Sequence, residues 1–174
     1  MQGRLQVYTG NGKGKTTAAL GLAVRAACAG LRVYIGQFMK GTDYSELCLP
    51  RLLPGMVEME QYGTPRLICR GERPGRDDIA HAREGLRRLE DALVSGNYDL
   101  VVADELAVTV HMGLLSEEEA MRVVRARPPQ VEMVVTGRYA SEALLEAADL
   151  VTEMREVRHY YASEGLEARK GIEL

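Results

Sequence analysis

One stretch near the start, residues 5–17 with the sequence LQVYTGNGKGKTT, constrains the fold more than any other part of the chain. An apolar run leads into a glycine-rich turn, and an alanine-rich helical pattern follows the sequence GKT. A strand, a glycine-rich loop, GKT and a helix are together the context of a phosphate-binding P-loop. Glycines let successive backbone N–H groups converge on an anion, and the helix N-terminus adds further donors.

In this motif, Lys15 would reach the phosphates and the hydroxyl of Thr16 would hold Mg²⁺. The spacing departs from GxxxxGK[ST], because Thr9 stands where the first glycine is expected and Gly10 follows one residue later. The alternative interpretation is a glycine-rich turn that precedes a helix and binds nothing. The flanking patterns and the GKT sequence favour the P-loop.

Composition places the chain among soluble globular proteins. Its 174 residues predict one domain, residues 1–174, with a substantial core. The net charge of −3 gives no general reason to bind nucleic acid, and no apolar run is long enough to span a membrane. The three cysteines have no metal-like spacing, and the first strand begins almost at residue 1, so we expect no signal peptide and a cytoplasmic location.

Strand and helix patterns alternate along the chain and predict an α/β fold. The predicted strands cover residues 5–8, 31–39, 57–62, 99–104, 131–136 and 150–154, and the predicted helices cover 15–29, 77–95, 106–113, 116–127 and 141–148. Residues 40–55 and 63–76 are predicted as loops, and the last twenty residues as an edge strand or an ordered tail. This alternation indicates a mostly parallel sheet covered by helices on both faces.

Two further groups of residues follow predicted strands. Asp104 and Glu105 end an apolar strand, and Arg138 follows another one in the sequence TGR. Because ligands gather at the carboxyl ends of parallel strands, we expect these side chains to lie near the P-loop. An acid in this place suits a Mg²⁺–nucleotide site, and an arginine suits a phosphate. Alternatively, either acid could cap a helix, and Arg138 could be an ordinary surface residue.

Five runs, in this order, make the chain resemble a known family. They are TGNGKGKTTAALGLAVRAA, QFMKG, VVADEL, VVTGRYA and HYYASEGLEARKGIEL, and they are similar to the ATP:corrinoid adenosyltransferases of the CobA type. The resemblance covers nearly the whole chain and is weakest between residues 42 and 77. It implies transfer of the 5′-deoxyadenosyl group of ATP to the cobalt of a reduced corrinoid, with release of triphosphate.

The resemblance also implies a three-layer RecA-like P-loop fold, a homodimer, Mg²⁺, a flavoprotein reductant, and ATP reversed in its loop relative to other P-loop enzymes. The residues that it assigns to the nucleotide are Gly10, Asn11, Gly12, Lys13, Gly14, Lys15, Thr16, Thr17, Arg25 and Arg138. It assigns the metal to Glu105, with Asp104 and Thr16 as the further candidates.

The chain also differs from the family's pattern. Family members often have an N-terminal arm that folds over the corrinoid, whereas this sequence starts at the strand. Some carry aromatic residues in the middle loop, where this chain has Leu67 and Ile68, and we predict that this pair presses toward the corrinoid. Alternatively, Leu67 and Ile68 anchor the loop to the core.

Two other functions compete with adenosyl transfer. One is a P-loop ATPase or kinase, and the other is a nucleotide-gated corrinoid carrier without chemistry.

Overall fold

All six strands in the described part of the chain, residues 2–65 and 72–174 of a computed structural model, run parallel in one sheet. They are β1 (Leu5–Thr9), β2 (Val33–Phe38), β3 (Val57–Tyr62), β4 (Leu100–Asp104), β5 (Glu132–Thr136) and β6 (Leu150–Glu153). Their order across the sheet is β3-β2-β4-β5-β1-β6, so β1 and β4 are separated by a single strand. The predicted strands are confirmed, and the sheet is wholly rather than mostly parallel.

Helices cover both faces of this sheet. They are α1 (Lys15–Cys28), α2 (Leu49–Leu52), α3 (Arg76–Val94), α4 (Leu106–His111), α5 (Glu117–Arg125), α6 (Glu142–Ala147) and α7 (Tyr160–Glu164). Successive residues of β4 point to opposite faces, so Val101 packs in the core that α3 to α6 cover and Val102 packs beneath α1. This three-layer arrangement confirms the predicted RecA-like α/β fold.

Local sequence signals explain where the longer helices begin and which face they bury. In α5, the Ser116 hydroxyl accepts a hydrogen bond from the Glu119 N–H at 3.1 Å, and the Glu119 carboxylate accepts one from the Ser116 N–H at 2.8 Å. This pair is the capping box that the sequence predicts. The buried face of α3 carries Ala82, Leu86 and Leu89, spaced by about one helical turn.

Two predicted segments differ from the structure. Residues 40–55, predicted mostly as loop, contain a 3₁₀ turn (Ser45–Cys48) followed directly by α2, which tolerates Pro50 in its first turn. The edge strand predicted among the last twenty residues is wrong, because residues 155–174 contain α7 and no strand and turn back toward the loop after β1, where Glu173 pairs with Lys13. The alternative, an ordered tail, describes these residues correctly.

The pair Leu67 and Ile68 lies outside the described residues, so its predicted role stays a prediction. No helix within the described ranges is long and apolar enough to cross a membrane.

Candidate functional site

The loop predicted as a P-loop, which begins at Gly10, connects the end of β1 to the start of α1 and packs against the chain that follows β6. Gly10 has φ 93°, and a Cβ atom there would lie 2.5 Å from the carbonyl oxygen of Met154. The same carbonyl accepts a hydrogen bond from the Gly12 N–H at 2.7 Å. Gly14, with φ 120°, is the residue from which α1 begins. Any larger residue at Gly10 would therefore strain the backbone and push the loop off β6.

Strand pairing explains the unusual position of the first glycine. Thr9 still belongs to β1, and its carbonyl oxygen accepts a hydrogen bond from the Met154 N–H at 2.8 Å. The strand therefore continues through the position where a glycine is expected, and the loop begins one residue later, at Gly10. The result is a shorter loop between β1 and Lys15.

Lys15 folds back over this loop. Its ammonium group donates hydrogen bonds to the carbonyl oxygens of Gly10 and Gly12, each at 2.8 Å, and the residue is 6% exposed. Burial lowers the pKa of Lys15, while the nearby Glu105 carboxylate opposes that shift. A cation in this position, held by weak carbonyl partners, is well placed to exchange them for an anionic ligand.

Asp104, at the end of β4, accepts four hydrogen bonds although it is only 1% exposed. The hydroxyls of Thr16 and Thr136 donate to its Oδ1 at 2.8 and 2.7 Å. Gln37 and Lys40 donate to its Oδ2 at 3.1 and 3.0 Å. This buried carboxylate thus ties the start of α1 to the ends of β2, β4 and β5, and it orients the Thr16 hydroxyl.

Glu105 follows directly and has a different environment. Its backbone is left-handed, with φ 62°, and its N–H donates to the Thr136 hydroxyl at 2.9 Å. Burial raises the pKa of its carboxyl group, and the adjacent Asp104 charge adds to the effect. Within the described residues no hydrogen-bond donor contacts the Glu105 carboxylate. Of the two acids, Glu105 is therefore the one whose oxygens are free to bind a ligand.

Backbone strain is concentrated at this edge of the sheet. Among the described residues, the only non-glycine residues with positive φ are Met39, Glu105 and Tyr139, at 57°, 62° and 60°. They follow β2, β4 and β5, the three adjacent strands whose carboxyl ends meet opposite α1. Such conformations cost roughly 1–3 kcal/mol each and cluster at functional sites.

These elements surround one large cavity of about 620 Å³. The side chains of Lys15, Thr16, Glu105 and Arg138 line it together, which the sequence predicts. Its other lining residues from the predicted set are Gly12, Lys13, Gly14 and Thr17. The volume lies in the range that binds a nucleotide-sized ligand.

Comparison with known proteins shows the family of the chain. The family described as ATP:corrinoid adenosyltransferase BtuR/CobO/CobP matches residues 1–174. The chain belongs to this family. It is 36% identical to the corrinoid adenosyltransferase of Pseudomonas aeruginosa, over 99% of this chain and 84% of the relative. It is 38% identical to the corrinoid adenosyltransferases of Escherichia coli K12 and Salmonella typhimurium, in each case over 99% of this chain and 86% of the relative.

Membership in the corrinoid adenosyltransferase family confirms the resemblance that the five sequence runs indicate, and it makes the protein an enzyme of the transferase class.

Not every residue assigned by the resemblance reaches the cavity. Gly10 and Asn11 do not line the cavity, and Asp104 lies behind Thr16. Arg25 is exposed in the last turn of α1, ten residues beyond Lys15 or about 15 Å along the helix axis. Its nucleotide contact stays a prediction.

The structure also adds residues that the sequence does not place. Lys40 and Glu46 line the cavity and form an ion pair of 3.3 Å with one another. On the opposite side Glu173 lines the cavity and pairs with Lys13 at 2.7 Å. Lys40 belongs to the run QFMKG and Glu173 to the end of the run HYYASEGLEARKGIEL, both part of the family resemblance, whereas Glu46 lies in neither.

The oxygen donors at this edge fit Mg²⁺. In the described ranges no group of three or more His, Cys, Asp or Glu side chains could hold a metal ion by itself. Mg²⁺ is usually held by one or two carboxylates together with substrate phosphates and waters, so such a group is unnecessary. The Thr16 hydroxyl and the Glu105 carboxylate line the same cavity beside the P-loop and supply hard oxygen ligands.

Proposed function

We propose that the protein transfers the 5′-deoxyadenosyl group of ATP to the Co(I) ion of a reduced corrinoid and releases triphosphate. The observation that carries this proposal is the cavity itself, in which a P-loop, a strand-end carboxylate and Arg138 converge in a member of the corrinoid adenosyltransferase family. The bond that forms joins cobalt to C5′ of ATP, and the bond that breaks joins C5′ to the triphosphate oxygen.

The proposed residue roles follow from what each group can offer the leaving triphosphate. Backbone N–H groups of residues 10–17 and the Lys15 ammonium group stabilise negative charge that develops on the triphosphate. Arg138 also lines the cavity and adds a rigid guanidinium group. Lys15 would exchange the carbonyl oxygens of Gly10 and Gly12 for phosphate oxygens.

For the metal site we propose that Glu105 and Thr16 bind Mg²⁺ directly. Asp104 acts behind them, because both of its oxygens already accept two hydrogen bonds. When bound, Mg²⁺ neutralises charge on the triphosphate and fixes its orientation. The free, desolvated carboxylate of Glu105 supports its assignment as the direct ligand.

No general base is needed for this reaction. Co(I) is a strong nucleophile and supplies the electron pair of the new bond, while the pair of the broken C–O bond leaves with the triphosphate. The task of the protein is to align cobalt, C5′ and the leaving oxygen and to exclude water. We further infer that ATP lies reversed in the loop, and the shortened connection between Thr9 and Lys15 supports this orientation.

We also propose a homodimer, a flavoprotein that supplies electrons for the Co(I) state, and a cytoplasmic location where ATP is available. The edge strand β6 supports self-association, because its Leu150 and Val151 are 44% and 47% exposed. An apolar strand at an open sheet edge is a common site of pairing between copies. Light scattering of the purified protein tests the dimer directly.

A P-loop ATPase or kinase is the second candidate, and one observation favours it. The raised pKa of Glu105 suits a carboxylate that polarises a water or a hydroxyl nucleophile next to bound ATP. The two functions differ in their products, since hydrolysis or phosphoryl transfer releases ADP, whereas adenosyl transfer releases intact triphosphate.

The deciding experiment mixes protein, MgATP and chemically reduced cobalamin without oxygen. The expected result is a cobalt–carbon product in the visible spectrum and one equivalent of triphosphate by anion-exchange chromatography. The matched control omits the corrinoid. Release of ADP in both reactions, without the cobalt–carbon product, would establish the ATPase instead, and binding of both substrates with no product would establish a carrier.

A further inference from the structure

Lys40 is a buried cation that the proposed reaction does not use. It follows β2 immediately after the strained Met39, and its side chain is 12% exposed. Its ammonium group lies 3.0 Å from Oδ2 of Asp104 and 3.3 Å from Oε1 of Glu46. The same group lies 4.8 Å above the ring of Tyr44, which adds a cation–π contact. The ammonium group is therefore fixed in one position at the wall of the cavity.

The hydrogen bonds of Asp104 leave it no free oxygen lone pair. An ionised carboxylate has about four acceptor positions, and here two hydroxyls, one amide and Lys40 fill them. Oε1 of Glu46 is shared in the same way, because Gln37 donates to it at 3.1 Å and Lys40 at 3.3 Å. A divalent cation could bind between Asp104 and Glu46 only by displacing the ammonium group.

The charges around Lys40 are mostly negative. Glu46 and Glu105 line the cavity, Asp104 lies behind Thr16, and Lys40 contacts Asp104 and Glu46. Burial alone would lower the pKa of Lys40, but the Asp104 and Glu46 carboxylates reverse the shift and keep the group charged. Removing the charge would leave two adjacent carboxylates without a counter-ion, which is a strong attraction for a divalent cation.

We propose that Lys40 is a positioning residue whose ammonium group excludes divalent cations from Asp104 and Glu46, and so directs Mg²⁺ to Thr16, Glu105 and the phosphates of ATP. This inference rests on the proposed Mg²⁺ site and not on the corrinoid chemistry. It means that the wild-type protein binds divalent cations weakly until the nucleotide brings its own oxygen ligands. Metal and ATP then bind together, in one geometry.

The test measures binding of Mn²⁺ alone to the nucleotide-free protein by electron paramagnetic resonance. We expect Lys40→Met to lower the Kd for Mn²⁺ by about tenfold or more, since a unit charge near 4 Å acts strongly at a protein surface. The double variant Lys40→Met/Asp104→Asn should lose this gain, because it removes one of the two carboxylates that Lys40 contacts. Should Lys40→Met not fold, Lys40→Gln removes the charge and keeps a hydrogen-bond donor.

The matched control is Lys13→Met. Lys13 also lines the cavity, but its ammonium group pairs with Glu173 and not with Asp104. An unchanged Mn²⁺ affinity in the Lys40 variants would overturn the proposal, as would an equal gain in the Lys13 variant. Neither result bears on adenosyl transfer by the wild-type protein. Conversely, a wild-type protein without transferase activity whose Lys40 variants gain Mn²⁺ affinity would overturn only the proposed function.

Discussion

Lys15→Ala is the substitution with the clearest expected effect on turnover. The change removes the ammonium group that faces the proposed triphosphate from the start of α1. A charge-assisted contact that strengthens as the leaving group gains charge contributes about 2–4 kcal/mol to transition-state stabilisation. At room temperature this corresponds to a decrease of roughly 30- to 1,000-fold in the rate of adenosyl transfer.

The effect on stability is expected to be much smaller. Lys15 donates two hydrogen bonds to carbonyl oxygens, and each such bond contributes about 1 kcal/mol net. Both carbonyls belong to the loop at the cavity, so water can replace the lost donor. We therefore expect the free energy of unfolding to fall by about 2 kcal/mol at most, with the sheet and both cores intact.

A single-turnover assay with saturating MgATP and reduced cobalamin measures the effect on chemistry, and thermal melting measures the effect on folding. Lys13→Ala is the matched control, because Lys13 belongs to the same loop but is partly exposed and pairs with Glu173. Its rate should fall by less than that of Lys15→Ala, because the contact proposed for Lys13 is made by its backbone N–H and its side chain pairs with Glu173. A folded Lys15→Ala variant that turns over at nearly the wild-type rate would refute the P-loop assignment.

Three further predictions concern the proposed metal site, the stability of β3 and the pair Leu67 and Ile68. Glu105→Gln should raise the Mg²⁺ concentration needed for half-maximal activity with little change in melting temperature, and an unchanged titration would move the metal to Thr16 alone. Burial alone would raise the pKa of Glu60, but hydrogen bonds from Arg88 and two tyrosines lower it to about 2. Its contribution to stability is therefore complete above pH 4.5 and is lost as the pH falls toward 2, and Glu60→Gln should flatten that dependence in acid melting curves. Replacing Leu67 and Ile68 by Ala should weaken corrinoid turnover and leave ATP affinity intact, whereas a large loss of melting temperature with normal specific activity would make the pair structural.

Much of the architecture could be predicted because its signals are local. A strand followed by glycines and GKT specifies the loop and the start of α1 within a few residues. The apolar run before Asp104 specifies a buried strand, and the strand-end rule brings Asp104 and Glu105 to the P-loop. The capping box at Ser116 depends on two residues three positions apart. In each case the interacting residues lie a few positions apart in the sequence, or the fold class determines where they lie.

The remaining features depend on contacts between distant residues. Lys40 reaches a carboxylate 64 residues away, and Lys13 reaches one 160 residues away. Neither pairing has a local pattern, since a lysine in a polar stretch is ordinarily solvated. The turn of the C-terminal residues toward the loop after β1 is held by contacts such as the Lys13–Glu173 ion pair and the hydrogen bond from Ser45 to the Leu174 carbonyl. The left-handed backbone of Met39 and Glu105 is imposed by tertiary packing rather than by residue preference.

The three left-handed residues have a consequence for protein engineering. Glycine adopts such a backbone without the penalty of about 1–3 kcal/mol that other residues incur, so a screen for heat resistance alone would tend to select glycine at Met39, Glu105 and Tyr139. At Glu105 that choice would delete the carboxylate that we assign to the metal. Thermostable variants of this enzyme should therefore be sought at positions other than 105, and a glycine at that position in a homologous protein would indicate loss of the metal site that we propose.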